Sequence, residues 1–141
     1  MKWLAIAFAL LIAAPVALAQ TGVKRATSMT VSPDDRAKQW MTLIDDQNYA
    51  DAYKQMSTTA RGKIAAEAWT GNIRTMRMPL GAMSSRNLKD VKMSNTLPGM
   101  RDGQYAAVRY DSVFARKAAG VESVNLVMEN GAWSVVSYRV D

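Results

Sequence analysis

The hydrophobic residues of this chain change their spacing at Gly81, and this change restricts the fold more than any other feature of the sequence. Before Gly81 they recur at helical intervals, as at Ala37, Trp40, Met41 and Ile44. After Gly81 they alternate with polar residues, which predicts strands whose two faces differ. Helices followed by strands indicate an α+β domain, in which the helices pack on one face of a curved, four-stranded antiparallel sheet.

Two or three helices are predicted before Gly81. The first begins after Ser32, a residue type that caps helix N-termini, and ends near Asp45-Asp46, whose charges oppose the helix dipole. A second, short helix begins after Asn48. The segment Ser57-Thr58-Thr59 breaks it, and a third helix runs to the turn Pro79-Leu80-Gly81.

Alternating residues and turn residues divide the second half of the chain. Leu88 is out of phase with the apolar residues that follow it, which predicts a bulge near Lys89-Asp90. Asn130-Gly131 predicts a two-residue hairpin turn, because both residues tolerate positive φ. The predicted strands are Met83 to Leu97, Gln104 to Ala115, Val121 to Glu129 and Ala132 to Val140.

The two-residue turn also predicts the register of the last two strands. Trp133 should lie opposite Met128 and be buried against the helices. Counting outward from the turn gives the pairs Glu129 with Ala132, Met128 with Trp133, Leu126 with Val135, Val124 with Ser137, and Glu122 with Arg139.

The N-terminus has the features of a signal peptide. A lone charge at Lys2 precedes an apolar run, Trp3 to Ala14, and Ala17-Leu18-Ala19 provides a cleavage site before Gln20. The run is too short to span a bilayer, which takes about 20 residues. We therefore expect a periplasmic or secreted protein with no stable membrane anchor. Its parts are a signal peptide (1–19), a flexible lead-in (20–31) and one α+β domain (32–141).

The chain contains no cysteine and no histidine. This excludes disulfides, thiolate nucleophiles, zinc sites of the Cys/His kind and a Ser-His-Asp triad. Glycine-rich phosphate-binding motifs are also absent from the sequence. We expect no cofactor, no metal and no catalytic residue.

Positive charge is concentrated in the middle of the chain. Residues 54–117 contain twelve basic and four acidic residues. Such a block is either a solvated face or a docking site for an anionic partner. Arg77 and Arg86 flank the turn at Pro79 and Gly81, so a docking site would hold them rigidly; the alternative is that they pair with acids of the same chain. The candidate binding residues are Arg74, Arg77, Arg86, Lys89 and Lys92.

The sequence resembles domain of unknown function 4019, a family of exported bacterial proteins, from about Ala37 to the C-terminus. In one position it departs from that pattern, because Asp46-Gln47-Asn48 stands where a glycine is expected. The resemblance implies a cystatin-like or NTF2-like cone and an exported protein, but no activity. It rests on Trp40, Ile44-Asp45, Tyr49, Trp69, Arg77-x-Pro79-Leu80-Gly81, Ser85-Arg86, Leu97-Pro98-Gly99, Asp102-Gly103-Gln104-Tyr105, Glu122, and Gly131-x-Trp133-x-Val135-x-x-Tyr138.

Three functions fit these observations. The first is a non-enzymatic interaction module of the envelope, such as an inhibitor or immunity-type protein, whose partner is an envelope protein or another anionic molecule. The second is a carrier that holds a small ligand in the cone, and the third is an isomerase-like or dehydratase-like enzyme. Nucleic acid is not expected as a partner of an exported chain, and a homodimer is left open. The pocket residues for the second and third functions are Tyr49, Tyr53, Tyr105, Tyr110 and Asp111.

Overall fold

The computed structural model describes residues 30–141. The predicted signal peptide and the lead-in, apart from its last two residues, lie outside the described residues. Four helices precede four strands, which confirms the α+β class; the likeness to a cone remains a prediction. The elements are α1 (Pro33–Asp45), α2 (Tyr49–Lys54), α3 (Thr58–Lys63), α4 (Ala66–Arg77), a 3₁₀ turn (Met78–Leu80), β1 (Met83–Ser94), β2 (Tyr105–Phe114), β3 (Lys117–Glu129) and β4 (Ala132–Val140).

The predicted boundaries of α1 are confirmed. The Ser32 hydroxyl accepts a hydrogen bond from the backbone N–H of Asp35 at 3.2 Å, and Asp34 and Asp35 lie at the positive end of the helix dipole. One face of the helix is buried against the sheet. That face consists of the predicted residues Ala37, Trp40, Met41 and Ile44.

The expected number of two or three helices is wrong. Ser57 does not simply break a helix, because its side chain accepts a hydrogen bond from the backbone N–H of Ala60 at 3.1 Å and caps a further helix, α3. Ile64, expected within one long helix, instead has extended backbone at the end of α3. The long helix α4 therefore starts only at Ala66.

The four strands form one antiparallel sheet in the order β1-β2-β3-β4. The predicted bulge in β1 is confirmed, because Leu88 pairs with Tyr110 and Asp90 with Arg109, which leaves Lys89 as the extra residue. The first strand ends at Ser94 and not at Leu97, and the third begins at Lys117 rather than Val121.

The β3–β4 hairpin confirms three of the five predicted pairs and corrects the other two. Asn130 and Gly131 have φ of 50° and 79°, and the first three predicted pairs are present. Beyond them, Val136 is an extra residue in β4, so Val124 pairs with Tyr138 rather than with Ser137. In the same way, Glu122 pairs with Val140 and not with Arg139.

This second bulge brings Tyr138 to the face that the helices cover. The Tyr138 ring packs edge-on against Trp40, with ring centroids 5.5 Å apart, and the centroid of Trp69 lies 6.1 Å from that of Trp40. Trp133 is buried, as predicted. The space between α1 and the sheet is filled by side chains with almost no exposed surface, among them Trp40, Met41, Ile44, Val108, Tyr110, Val124, Leu126 and Val135.

Candidate functional site

Four charged side chains meet at one end of the sheet, and with two hydroxyls they form what we call the charge cluster. Asp45 comes from the last residue of α1 and Arg77 from the last residue of α4. The remaining members come from the sheet, where Arg86 lies opposite Ser112 in the β1–β2 register. The complete cluster is Asp45, Arg77, Arg86, Ser112, Glu122 and Tyr138.

Arg86 connects both carboxylates of the cluster. Its Nε and Nη2 donate to the two oxygens of Glu122 at 2.6 and 2.8 Å. Its Nη1 and Nη2 donate to the two oxygens of Asp45 at 2.8 and 3.1 Å. Because the planar guanidinium matches the carboxylate geometry, all of its N–H groups on these two edges are used within the chain.

Arg77 completes the cluster from the helix side. Its Nη2 donates to Asp45 Oδ1 at 2.9 Å, and its Nη1 lies 3.2 Å from the Tyr138 hydroxyl. The guanidinium carbon lies 4.6 Å from the centroid of the Phe114 ring, a cation–π distance. Among the described residues, Arg77 Nε is one of two buried side-chain polar atoms without a hydrogen-bond partner.

Glu122 has no exposed surface and accepts hydrogen bonds from four residues, including Arg77, whose Nη1 lies 3.4 Å from Oε1. Ser112 Oγ donates to it at 2.5 Å and Tyr138 Oη at 2.6 Å. Burial by itself would raise the pKa of Glu122, but the hydrogen bonds and charge of Arg86, helped by the two hydroxyls, outweigh burial and lower that pKa below its usual value. Glu122 is therefore a carboxylate held ionised.

Tyr138 and Arg86 are held in their ordinary protonation states by the same contacts. Burial, followed by the charge of Glu122, raises the pKa of the Tyr138 hydroxyl. Although burial opposes it, hydrogen bonding to Glu122 and Asp45 raises the pKa of Arg86. Near neutral pH Glu122 is therefore held without its proton and Tyr138 with its own, so neither group is poised for proton transfer.

The structure places the predicted binding residues in different surroundings. Arg77 and Arg86 are brought together, but both face inward and pair with acids of the same chain, as in the alternative interpretation. Arg74 is exposed on α4, with its guanidinium 5.7 Å from the Tyr49 ring. Lys89 and Lys92 are exposed on β1, and Lys89 Nζ lies 3.1 Å from Asp111.

The predicted pocket residues do not form a shared pocket. Tyr110 donates to the backbone carbonyl of Asp34 at 3.0 Å, and Tyr53 donates to that of Ile64 at 2.8 Å. Tyr105 donates to the backbone carbonyl of Arg101, while Tyr49 is buried beneath Arg74. The Asp111 side chain is exposed and pairs with Lys89. None of these tyrosine hydroxyls makes a hydrogen bond to Asp111 among the described contacts.

Sequence reasoning missed four members of the charge cluster as site residues: Asp45, Ser112, Glu122 and Tyr138. It interpreted Asp45 as a helix-end charge, and its predicted register, with Ser137 opposite Val124, put Tyr138 on the face opposite to Trp133. A signal was available, because Asp45, Arg77, Arg86, Glu122 and Tyr138 all belong to the motifs on which the family resemblance rests. Two acids and two arginines within one set of motifs indicate mutual pairing.

Two concave surfaces lie near these residues. A cleft of about 380 Å³ borders the charge cluster at Asp45 and Arg77 and is also lined by Gln47, Tyr49 and Arg116. The second, which we call the apolar groove, has about 670 Å³ and lies between α3, α4, the β1–β2 loop and the hairpin. Its apolar lining consists of Met56, Ala60, Ile64, Trp69, Ile73, Leu97, Pro98, Met100, Val136 and Tyr138.

Lys63 holds the loop that forms one wall of the apolar groove. Its Nζ donates to the carbonyl of Gly99 at 2.7 Å and lies 3.3 Å from the sulfur of Met100. Among the lining residues that the structure describes, Lys63 is the one with a charged side chain.

Residues 30–141 contain no group of three or more acidic residues arranged to hold a metal ion. Over the same residues, no helix is both long enough and apolar enough to cross a membrane.

The family described as protein of unknown function (DUF4019) matches residues 36–138. The chain belongs to this family. The match extends from α1 to β4 and includes every member of the charge cluster and the whole apolar groove. A search of curated proteins finds no match to the chain. Family membership supplies no activity, so the function of this DUF4019 protein has to be argued from its own geometry.

Proposed function

We propose that this protein is a non-enzymatic interaction module of the cell envelope that binds a segment of another protein in the apolar groove. The observation that carries the proposal is a groove of about 670 Å³ with a mainly apolar lining, beside an interior that side chains fill. Concave apolar surfaces with few polar groups are the usual sites of binding. An inhibitor or immunity-type protein is one form such a module takes.

The chemistry of the groove favours a partner with apolar and acidic side chains. Met56 and Met100 line it, and thioether side chains adapt to partners of different shape. Lys63 lies at the wall and provides a positive charge for an acidic residue of the partner. Because the groove is not enclosed but open to solvent, an extended segment can lie in it and insert alternate side chains.

The charge cluster supports a structural rather than a catalytic role. Glu122 is fully buried and held ionised, and Arg86 occupies both of its oxygens. Tyr105 and Tyr110, candidates for a Tyr/Asp enzyme, donate to backbone carbonyls, and Asp111 pairs with Lys89. Among the described contacts, these tyrosines make no hydrogen bond to Asp111 from which an acid–base mechanism could start, and an enzyme is not proposed.

The place of action in this proposal is the periplasm or the outside of the cell. It rests on the sequence, in which Lys2, the apolar run and Ala17-Leu18-Ala19 form a signal peptide. Of the basic middle block, Lys63 is the cation that lines the groove and would meet an anionic partner there, whereas Arg77 and Arg86 are buried and paired within the chain.

A small apolar ligand is the second candidate for the groove, which would make the protein a carrier. The volume of the groove is within the usual range for ligand sites, about 300 to 1,000 Å³. The openness of the groove to solvent argues against this candidate, because carriers usually bury most of the surface of their ligand.

The experiment compares two methionine variants of the exported protein. Met100→Lys places a second cation beside Lys63 in the groove, whereas Met78→Lys makes the same change at an exposed methionine that does not line the groove. Each variant and the wild type are immobilised and exposed to envelope extract, and the captured proteins are quantified by mass spectrometry. We expect one partner to be captured equally by wild type and Met78→Lys, and at least about tenfold less by Met100→Lys.

Equal capture by all three proteins would show that the groove is not the binding site. The carrier is tested on the same samples. Organic extraction of wild type and Met100→Lys, followed by mass spectrometry, would detect a small molecule that copurifies with wild type alone. If such a molecule is found and no protein is captured, the protein is a carrier and the proposed interaction module is wrong.

A further inference from the structure

The strand β1 leaves one edge of the sheet open. It has 12 residues and pairs with β2 on one side, and in the part of the chain that the structure describes no strand pairs with its other side. Long open edges present unpaired backbone N–H and C=O groups, which other strands can bind. This edge also bears exposed apolar side chains: Leu88, Val91 and Met93 are 47, 37 and 61 % exposed.

These three residues lie on the same face of the sheet as the buried core residues of β2. They lie opposite Tyr110, Val108 and Ala106 of β2, all of which are buried. The described helices cover the β2 residues but leave the β1 row exposed. A row of apolar side chains beside an unpaired strand edge is therefore a surface suited to another strand.

We propose that this surface pairs with β1 of a second copy, antiparallel and with the two-fold axis at Val91. In this register Val91 lies opposite Val91 of the second copy. Asp90, whose carboxylate already binds Arg109 of β2, lies opposite Lys92 of the second copy. Lys92 of the second copy therefore adds a second cation beside that carboxylate, and this occurs twice in each dimer. Two four-stranded sheets would join into one continuous sheet.

The charge pattern selects this register over its neighbours. Moving the axis to Asp90 puts two Asp90 carboxylates opposite each other, and moving it to Lys92 does the same with two ammonium groups. An axis between Asp90 and Val91 puts Lys89 opposite Lys92. Of these four axes, only the one at Val91 puts oppositely charged residues opposite each other, and it does so at two positions. Because the strand is complementary in charge to itself, the favoured partner is a second copy of this chain and not an unrelated strand.

Cysteine cross-linking tests the register, because the chain has no cysteine of its own. In the proposed dimer the two residues 91 face each other at about 4.5 to 5.5 Å between Cα atoms, which suits a disulfide. The two residues 93 are roughly 13 Å apart, at about 3.3 Å per residue, which is too far. Met93→Cys is a stringent control, because position 93 is the more exposed and would react faster by random collision.

We expect exported, purified Val91→Cys to form a covalent dimer at least about tenfold faster than Met93→Cys. Faster reaction at position 93 would overturn the register. Sedimentation of the wild type tests the association itself: a dimer should form with rising concentration, and Lys92→Asp, which would face Asp90, should weaken it at low salt more than Lys92→Ser does. A wild type that remains monomeric at several hundred micromolar would overturn the proposal.

Discussion

Arg86 and Glu122, which are 36 residues apart in the chain, are joined by two parallel hydrogen bonds of 2.6 and 2.8 Å. The pair ties the open edge strand β1 to the interior strand β3. Glu122 has no exposed surface, so the carboxylate depends on this partner in place of water. Loss of one partner of such a buried ion pair destabilises the protein, because the other charge is left buried without compensation. This holds whatever the intact pair contributes to stability.

Removal of one partner should therefore lower stability strongly. We expect Arg86→Met to reduce the free energy of unfolding by about 3 to 5 kcal/mol, because it leaves a buried carboxylate without its main partner. The measurement is urea unfolding at pH 7. Arg61→Met, which changes an exposed arginine, is the control and should stay within about 0.5 kcal/mol of wild type.

The double variant Arg86→Met with Glu122→Gln should lose less stability than the two single variants added together, since it removes both charges of the pair. Additive losses would contradict the coupling that the geometry indicates.

The stability of the protein should fall in acid because of Glu122. The pKa of Glu122 is lower in the folded protein than its unfolded value of 4.5, so the folded state favours the ionised carboxylate. This contribution is complete well above pH 4.5 and is lost as the pH falls from there through the folded-state pKa. In urea unfolding between pH 7 and pH 3, Glu122→Gln should show a smaller loss of stability than wild type does.

The control for this prediction is Asp102→Asn, which changes an exposed carboxylate in the β1–β2 loop. It should leave the pH dependence as it is in wild type. If Glu122→Gln and wild type lose equal stability in acid, the assignment of the effect to Glu122 is wrong.

Gln47 lies in the turn where the family pattern led us to expect a glycine. The backbone conformation of Gln47 explains why a glycine would suit this turn. Its φ is 59°, in the left-handed region that side chains with a Cβ disfavour. We expect Gln47→Gly to stabilise the protein by about 0.5 to 1 kcal/mol, measured by thermal and urea unfolding. Gln47→Ala, which keeps the Cβ, should give no such gain; an equal gain from both would remove backbone strain as the cause.

Substitutions at two glycines test whether backbone conformation by itself, without steric crowding, affects stability. A Cβ added at Gly131 or at Gly62 meets no atom within 4 Å, but only Gly131, at φ 79°, has a left-handed backbone. Gly131→Ala should lower stability by about 1 kcal/mol, whereas Gly62→Ala, in α3, should raise it by a similar amount through helix propensity. Thermal unfolding of both variants checks the prediction. If Gly131→Ala is as stable as wild type, the left-handed backbone at this position does not require glycine.

Export is tested by the mass of the protein that the cell produces. A signal peptide ending at Ala19 predicts a soluble product that begins at Gln20. Intact mass spectrometry of the periplasmic fraction measures this directly. A full-length product in the membrane fraction would contradict both the cleavage site and the proposed place of action.

Much of the local structure of this protein followed from short stretches of sequence. The first turn of α1 is capped by Ser32, the bulge at Lys89 follows from an apolar residue out of phase, and the hairpin turn follows from Asn130-Gly131. These features depend on neighbouring residues alone, through capping hydrogen bonds, alternation of faces and tolerance of positive φ. The order of helices and strands, and with it the α+β class, was predictable for the same reason.

The charge cluster was decided by tertiary structure. One extra residue, Val136, shifts the register of β4, so that Tyr138 turns inward and Glu122 lies opposite Val140 in place of Arg139. Nothing in the local sequence marks that bulge, because both faces of the hairpin are partly apolar and either register buries hydrophobic residues. Sequence established the basic residues at Arg77 and Arg86, but only packing brought Asp45 and Glu122 within hydrogen-bonding distance and turned two candidate docking residues into internal partners.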